Sequence, residues 1–117
     1  MDAQPNETND SRFWRRGAEA ELCRILGDPT RLSIVVALAP GPLAVGELCQ
    51  RLEVPQSTTS RHLKILRDHG LVMATRDAQR VLYSLKDRHL LKVVDTLSRY
   101  LAWSEQGGSQ RPSWSMS

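Results

Sequence analysis

The chain has 117 residues, 40% hydrophobic and only 5% aromatic, with 16 Lys/Arg against 13 Asp/Glu for a net charge of +3. That is one domain with room for a single small core, built mostly from Leu, Val and Ile. No apolar run is long enough to span a membrane, and two cysteines do not make a disulfide scaffold.

Residues 1–11 are polar, with Pro, Asn, Asp and Thr, and read as a disordered N-terminal arm. A first helix is expected over 13–26, with Trp14, Ala18, Leu22, Ile25 and Leu26 on one face and Gly27 as its stop. Asp28-Pro29-Thr30 then supplies the cap and first-turn proline of a second helix over 29–39. This helix is apolar nearly all round and is expected to be the most buried element. Pro40-Gly41-Pro42 breaks it. A third helix is expected over 45–52, where Val45, Leu48, Cys49 and Leu52 fall at i, i+3, i+4 and i+7. The link Glu53-Val54-Pro55-Gln56 has the length found inside a helix-turn-helix unit, and Pro55 suits the first helical position of the next helix.

Residues 55–70 carry the most information. At about 100° per residue, Thr59, Leu63 and Leu66 share one side, while Ser57, Thr58, Arg61, Lys64 and Asp68 point away. Small hydroxyls at the front of a helix let it approach a DNA major groove. Gln56 and Arg61 carry the paired hydrogen-bonding groups that reach base edges. Gly70 stops the helix. Residues 71–76 and 80–85 are rich in β-branched and bulky side chains and read as an antiparallel hairpin with the polar tip Asp77-Ala78-Gln79. Asp87 is placed to cap a last helix to about residue 103, lined on one side by Leu90, Val93, Val94, Leu97 and Leu101. Residues 105–117 read as a disordered tail, leaving 12–104 as the folded domain. No internal repeat, secretory signal or lipidation motif is present, so a cytoplasmic location is expected.

Helix, turn, helix, hairpin is the layout of a winged helix, a mainly α fold with a small β-hairpin. The charge is distributed to match. Residues 51–92 hold nine Lys/Arg and four Asp/Glu, a surplus of +5, while the remainder of the chain sums to −2. Positive charge concentrated on one helix and hairpin is the footprint of a nucleic-acid-binding face. Double-stranded DNA is therefore the expected partner, contacted by Gln56, Ser57, Thr58, Ser60, Arg61 and Lys64 from the helix and by Arg76 and Arg80 from the hairpin. The first and last helices carry more apolar surface than so small a core needs. They either fold back on their own subunit or pair across a two-fold axis, and a dimer would also match a palindromic site. No nucleophile–base pair, carboxylate pair or phosphate-cradling glycine loop stands at recognisable spacing, so an enzyme is not expected. A winged helix used only as a protein-interaction module is the alternative, and it would not be expected to concentrate charge on the reading face.

Leu26-Gly27-Asp28-Pro29-Thr30-Arg31-Leu32, Gly46-Glu47-Leu48, Ser60-Arg61-His62-Leu63-Lys64-Ile65-Leu66-Arg67, Gly70-Leu71-Val72 and Tyr83-Ser84-Leu85 together resemble the ArsR/SmtB family of bacterial winged-helix repressors. The resemblance covers about residues 13–103. It implies a homodimer joined through the first and last helices, an inverted-repeat operator, and release of DNA when an inducer, often a metal or metalloid, binds. By position it assigns base reading to Gln56, Ser57, Ser60 and Arg61 and the wing to Arg76 and Arg80.

The family's metal patterns are only half present. Its arsenic- and cadmium-type Cys-x-Cys is matched by Cys49 but has Arg51 in second place. Its zinc-type Asp-x-His is matched by Asp87 and His89, but the second pair falls on Tyr100 and Trp103, neither an ordinary zinc ligand. Asp87 then reads as a helix cap with His89 an exposed neighbour, and the pair is a weak metal candidate. His62 and His69 read as packing or phosphate contacts. Cys49 on its apolar stripe and Cys23 on the flank of the first helix have two readings. Both are core residues, or together they sense a thiol oxidant or a thiophilic metal or metalloid inducer. No resident cofactor is indicated, and a repressor with no small-molecule inducer remains the companion reading.

Overall fold

The computed structural model describes residues 16–106. The expected N-terminal arm, the start of the first helix with Phe13 and Trp14, and residues 107–117 of the expected tail lie outside them. A first helix, α1, occupies residues 16–26, with Leu22, Ile25 and Leu26 turned inward and Ala18 exposed. It ends at Gly27, where a Cβ would stand 3.1 Å from the Cys23 carbonyl oxygen.

Helix α2 is Pro29–Ala37, capped by the Asp28 carboxylate, which accepts the Arg31 N–H at 3.1 Å, with Pro29 in the first turn. It stops two residues before the expected end, Leu38 serving as its C-cap. Ile34, Val35 and Leu38 are buried, yet Val36 is 49% exposed. The expectation that this helix is buried all round is therefore corrected. One arc of a nine-residue helix faces the neighbouring helices, and Val36 lies outside it, beside an open groove shared with Arg51, Val94 and Ser98.

A two-residue strand, β1 (Leu43–Ala44), follows and leads directly into α3 (Val45–Leu52). Sequence periodicity gives no sign of β1, because two residues are too few to alternate. In α3, Glu47 reaches back to accept the Ala44 N–H at 2.8 Å, one half of a capping box. The helix closes at Glu53, whose backbone is left-handed at φ 55° and ψ 47°.

Helix α4 is Gln56–Asp68. Pro55, expected at its first helical position, is instead the N-cap: its ψ of 152° is extended, and its carbonyl accepts both the backbone N–H of Thr59 at 3.0 Å and the Thr59 hydroxyl at 3.1 Å. The far end of α4 is a Schellman closure. Gly70, at φ +76°, donates to the Arg67 carbonyl at 3.0 Å, and Leu71 donates to the Leu66 carbonyl at 2.9 Å. Only glycine adopts that backbone without cost.

The hairpin consists of β2 (Val72–Asp77) and β3 (Arg80–Leu85), with Val72 opposite Leu85 and Asp77 opposite Arg80. Each end of β2 lies one residue later than expected, which leaves a two-residue loop, Ala78-Gln79. Its positive φ at Ala78 alone is the type II′ pattern that suits the twist of a hairpin. β1 pairs with the other edge of β3, giving the antiparallel order β1-β3-β2. After a short turn, α5 runs Leu90–Glu105, two residues past the expected end. The core gathers Ile25 and Leu26 of α1, Ile34 and Val35 of α2, Leu48 of α3, Leu63 and Leu66 of α4, and Val72, Leu85 and Leu90 behind them.

A half-buried polar cluster joins the corner between α1, α2 and α4. Arg31 donates from Nε to the Ile25 carbonyl at 2.6 Å, and its Nη1 stands 3.2 Å from Nδ1 of His62, a side chain only 6% exposed. Asp28 Oδ2 lies 3.8 Å from the same ring nitrogen. The backbone N–H of Arg31, helped by the charges of His62 and Arg31, holds the Asp28 carboxyl below its usual range against the opposing effect of burial. Burial pushes His62 below the ordinary imidazole value; Arg61 and Arg31 push the same way, and Asp28 opposes them. The unfolded chain thus takes up this proton first, near the ordinary value of about 6.5. Stability from His62 is complete above that pH and declines as pH falls towards the lowered folded value. The thermal midpoint should drop between about pH 7 and about pH 5.5, and the drop should be smaller in His62→Asn. Equal drops in the two proteins would place the titrating group elsewhere.

Candidate nucleic-acid interface

The inward side of α4 is closed: Thr59, His62, Leu63 and Leu66 are all buried. The outward side carries Gln56, Ser57, Ser60, Arg61 and Lys64, all exposed. Thr58, expected among them, is half-buried at the border between the two faces. The hydroxyls are short and the arginine sits one turn further on, so a flat surface at the front of the helix gives way to a long bidentate donor. Among the described residues, Arg61 and Arg76 have no ion-pair partner. Lys64 is held at 3.1 Å by Asp68, an exposed pair one turn apart that water screens. No side chain caps the N-terminus of α4 and no acidic residue lies in its first turn. Its first N–H groups and the positive end of its dipole therefore face outward without internal compensation, an arrangement suited to a phosphate.

The hairpin register separates the two wing arginines. Cross-strand partners share a face, so Arg76 stands with Val81 on the face that carries Val72 and Leu85 into the core. Arg80 stands with Asp77 on the other. The strand order brings Arg80 to α3, where Nη1 is 4.0 Å from Glu47 Oε2. Glu47 thus accepts the Ala44 N–H at the start of α3 and also faces Arg80 at the loop end of the wing, in an exposed pair that water screens. Of the expected contact residues, the helix set lies on one continuous face, and the wing set presents two faces of one ribbon.

The expected sensing residues are dispersed. Cys23 is exposed on α1, and Cys49 on α3 is half-buried rather than fully buried; both are free thiols. No group of three or more His, Cys, Asp or Glu side chains capable of holding a metal gathers among the described residues. Asp87 and His89 do meet: Oδ1 accepts the His89 backbone N–H at 2.9 Å and faces Nδ1 of the ring at 2.8 Å. The backbone bond and then the ring bond hold the Asp87 carboxyl below its usual range. Asp87 therefore closes a local turn on His89 and does not cap α5 as expected: the N-cap is His89, with no side-chain hydrogen bond there. Where the family's second ligand pair would fall, Tyr100 and Trp103 pack ring against ring, centroids 6.0 Å apart.

The contact of Arg31 with His62 on α4 was not legible in the sequence. No spacing rule links a helix N-terminus to a histidine 31 positions later. Its only sequence signal is that Asp28-Pro29-Thr30-Arg31 sets a capped helix start with a cation directly behind the cap.

The sequence profile described as "Bacterial regulatory protein, arsR family" matches residues 28–74, the span from the α2 cap to the middle of β2. The transcriptional regulator CmtR of Mycobacterium tuberculosis is 43% identical over 83 residues, covering 71% of this chain and 70% of that one. The NMR structure of that protein describes it as a cadmium metal-sensor. A biofilm growth-associated repressor of Xylella fastidiosa is 32% identical over 96 residues, covering 82% of this chain and 84% of its own. Among solved structures, reduced HlyU from Vibrio cholerae superposes with a TM-score of 0.70 at 33% identity, covering 77% of this chain and 95% of that one. The relatives are transcription regulators rather than enzymes, and the chain belongs to the arsR family of bacterial regulatory proteins.

Proposed function

We propose that the protein is a cytoplasmic transcriptional repressor that binds an inverted-repeat DNA operator as a homodimer. The observation that carries this reading is the outward face of α4, where Gln56, Ser57, Ser60 and Arg61 stand exposed over a fully buried inner face. Lys64 belongs to that face and Thr58 borders it, while Arg76 and Arg80 are assigned to DNA contact from the two faces of the wing. Its relatives are regulators and repressors, and no helix among the described residues is long and apolar enough to cross a membrane. The folded unit, expected to end at residue 104, extends to at least Glu105, the last residue of α5, while its expected start at residue 12 lies outside the described residues.

The dimer follows from α5. Its first half packs inward through Leu90, Leu91 and Val94, but Leu97, Leu101 and Trp103 stay 39–47% exposed along the rest. A continuous apolar strip of this kind marks an interface, and a second copy is the partner that also presents a second reading helix to a palindrome.

For control, the inducer is assigned to the thiophilic class: a soft metal, a metalloid or an oxidant acting at Cys49, with Cys23 as second sulfur. Cys49 is half-buried, and its carbonyl accepts the N–H of Val54 in the link to α4 at 3.2 Å. A relative described as a cadmium sensor supports a soft metal as the signal. Asp87 and His89 remain the weaker site.

Arg61→Ala is expected to cost roughly 1–3 kcal/mol on the operator and to relax base preference, while Arg80→Ala weakens binding evenly and lowers the salt slope by about one. Equal losses on operator and random duplex for Arg61→Ala would show that this arginine does not read bases. Leu97→Asp places an unpaired charge in the α5 strip and should dissociate or unfold the dimer. A wild-type protein of monomer mass in light scattering at micromolar concentration would remove the homodimer. Arsenite, peroxide or a soft metal should release DNA from wild type but not from Cys49→Ser. Release by zinc alone, unchanged in Cys49→Ser and Cys23→Ser, would move the site to Asp87 and His89. No release by any of these would favour a repressor without a direct inducer.

A further inference from the structure

We propose that Arg31 is a positioning residue for the DNA-reading helix, acting through His62, and that reading requires His62 to be unprotonated at Nδ1. The inference rests on the DNA-reading function of α4 and adds a control on it. Arg31 lies far from the outward face, yet it binds three elements at once. Its backbone N–H goes to the α2 cap, its Nε to the Ile25 carbonyl of α1 at 2.6 Å, and its Nη1 to His62 on α4 at 3.2 Å. A guanidinium has only donors, so the nitrogen it faces must be the acceptor, and the neutral ring carries its proton on Nε2. At 3.8 Å, Asp28 is too distant to be the hydrogen-bond partner in this arrangement.

Protonation reverses the contact. A proton on Nδ1 sets donor against donor at 3.2 Å, with the Asp28 carboxylate 3.8 Å away and out of hydrogen-bond range unless the ring moves. The charged groups facing this ring are Asp28 and Arg31 from the α1–α2 corner and Arg61 on its own helix, so two of the three oppose a second positive charge. Arg31 cannot retreat easily, because the Ile25 carbonyl holds its Nε. The strain is relieved by rolling α4, and His62 is the immediate neighbour of Arg61. A helix that must place Arg61 against one base edge loses discrimination when it rolls. Its attraction to phosphates is long-ranged and changes little.

The test uses the full chain, a duplex selected by the wild type from a random library, and a random duplex of the same length. The ratio of the two affinities is measured from about pH 7.5 to about pH 5.5, with helical circular dichroism recorded at each point. For wild type the ratio should fall about tenfold across that range. His62→Asn keeps an acceptor for Arg31 but does not titrate. Its ratio should stay within about twofold of the wild-type value at pH 7.5 and remain flat towards acid. Arg31→Met should lower the ratio about tenfold at pH 7.5 with random-duplex affinity nearly unchanged. Parallel pH profiles for wild type and His62→Asn overturn the proposal, as does a wild-type ratio in folded Arg31→Met. Should Arg31→Met fail to fold, the two pH profiles still decide. A wild type that selects no duplex overturns the DNA-reading function itself, and this inference with it.

Discussion

Every strong contact that holds α4 comes from behind it. Thr59, Leu63 and Leu66 are sealed against α2, α3 and β2, and His62 adds the one polar bond from that side. A helix that is to enter a groove has no use for neighbours on its outer face, so its orientation must be fixed through buried side chains and its two ends. The ends are fixed separately. Pro55 takes both the N–H and the hydroxyl of Thr59 at the front, and the Gly70 closure turns the chain into β2 at the back. Of what remains outward among the described residues, Lys64 alone has to leave an ion pair, the exposed one with Asp68, to meet a ligand.

The same helix is tied to α1 at two levels. Near its middle, the tie runs from the Ile25 carbonyl through Arg31 to His62. At its C-terminal end, His69 Nε2 stands 3.3 Å from Glu21, which also accepts from Arg24 at 2.7 Å, while His69 Nδ1 lies 2.8 Å from the Ile65 carbonyl. The lower tie is exposed and screened by water, whereas the upper is half-buried and ends on the buried His62. If α1 joins the dimer interface, as the family resemblance implies, the separation of the two reading helices is transmitted through these two contacts. Subunit geometry and base reading are then one mechanical problem.

Local signals in the sequence were enough to outline most of the fold. Asp28-Pro29, Gly27 and Gly70 mark helix ends by chemistry that acts within a few residues, and the hairpin emerges from two β-rich runs around a polar tip. Pro55 was misplaced by one position because proline has nearly the same φ at an N-cap and at the first helical residue; the two differ in ψ, which its type does not encode. β1 escaped notice because it is a strand only by virtue of Tyr83 and Leu82 opposite it. Val36 looked like core because its residue type is apolar, yet exposure depends on which arc of α2 meets a neighbour. The outward set on α4 was legible through its period. Arg31 was not, since its role exists only where three elements meet.

The position of Cys49 explains why a signal there would reach the DNA face although the sulfur touches no contact residue. Its own carbonyl receives the Val54 N–H, and Glu53 between them is held in a left-handed backbone that a non-glycine residue adopts at a cost of about 1 kcal/mol. The link to α4 is only three residues long, so a shift of the α3 C-terminus has little slack in which to dissipate. Ligation of the sulfur that displaced this turn would release the left-handed residue and pull on Pro55, the residue whose carbonyl organises the front of α4. Cys23 has no such lever: it is exposed on α1, and its route to α4 passes through the Arg31 corner. Of the two sulfurs, Cys49 therefore has the shorter route to α4.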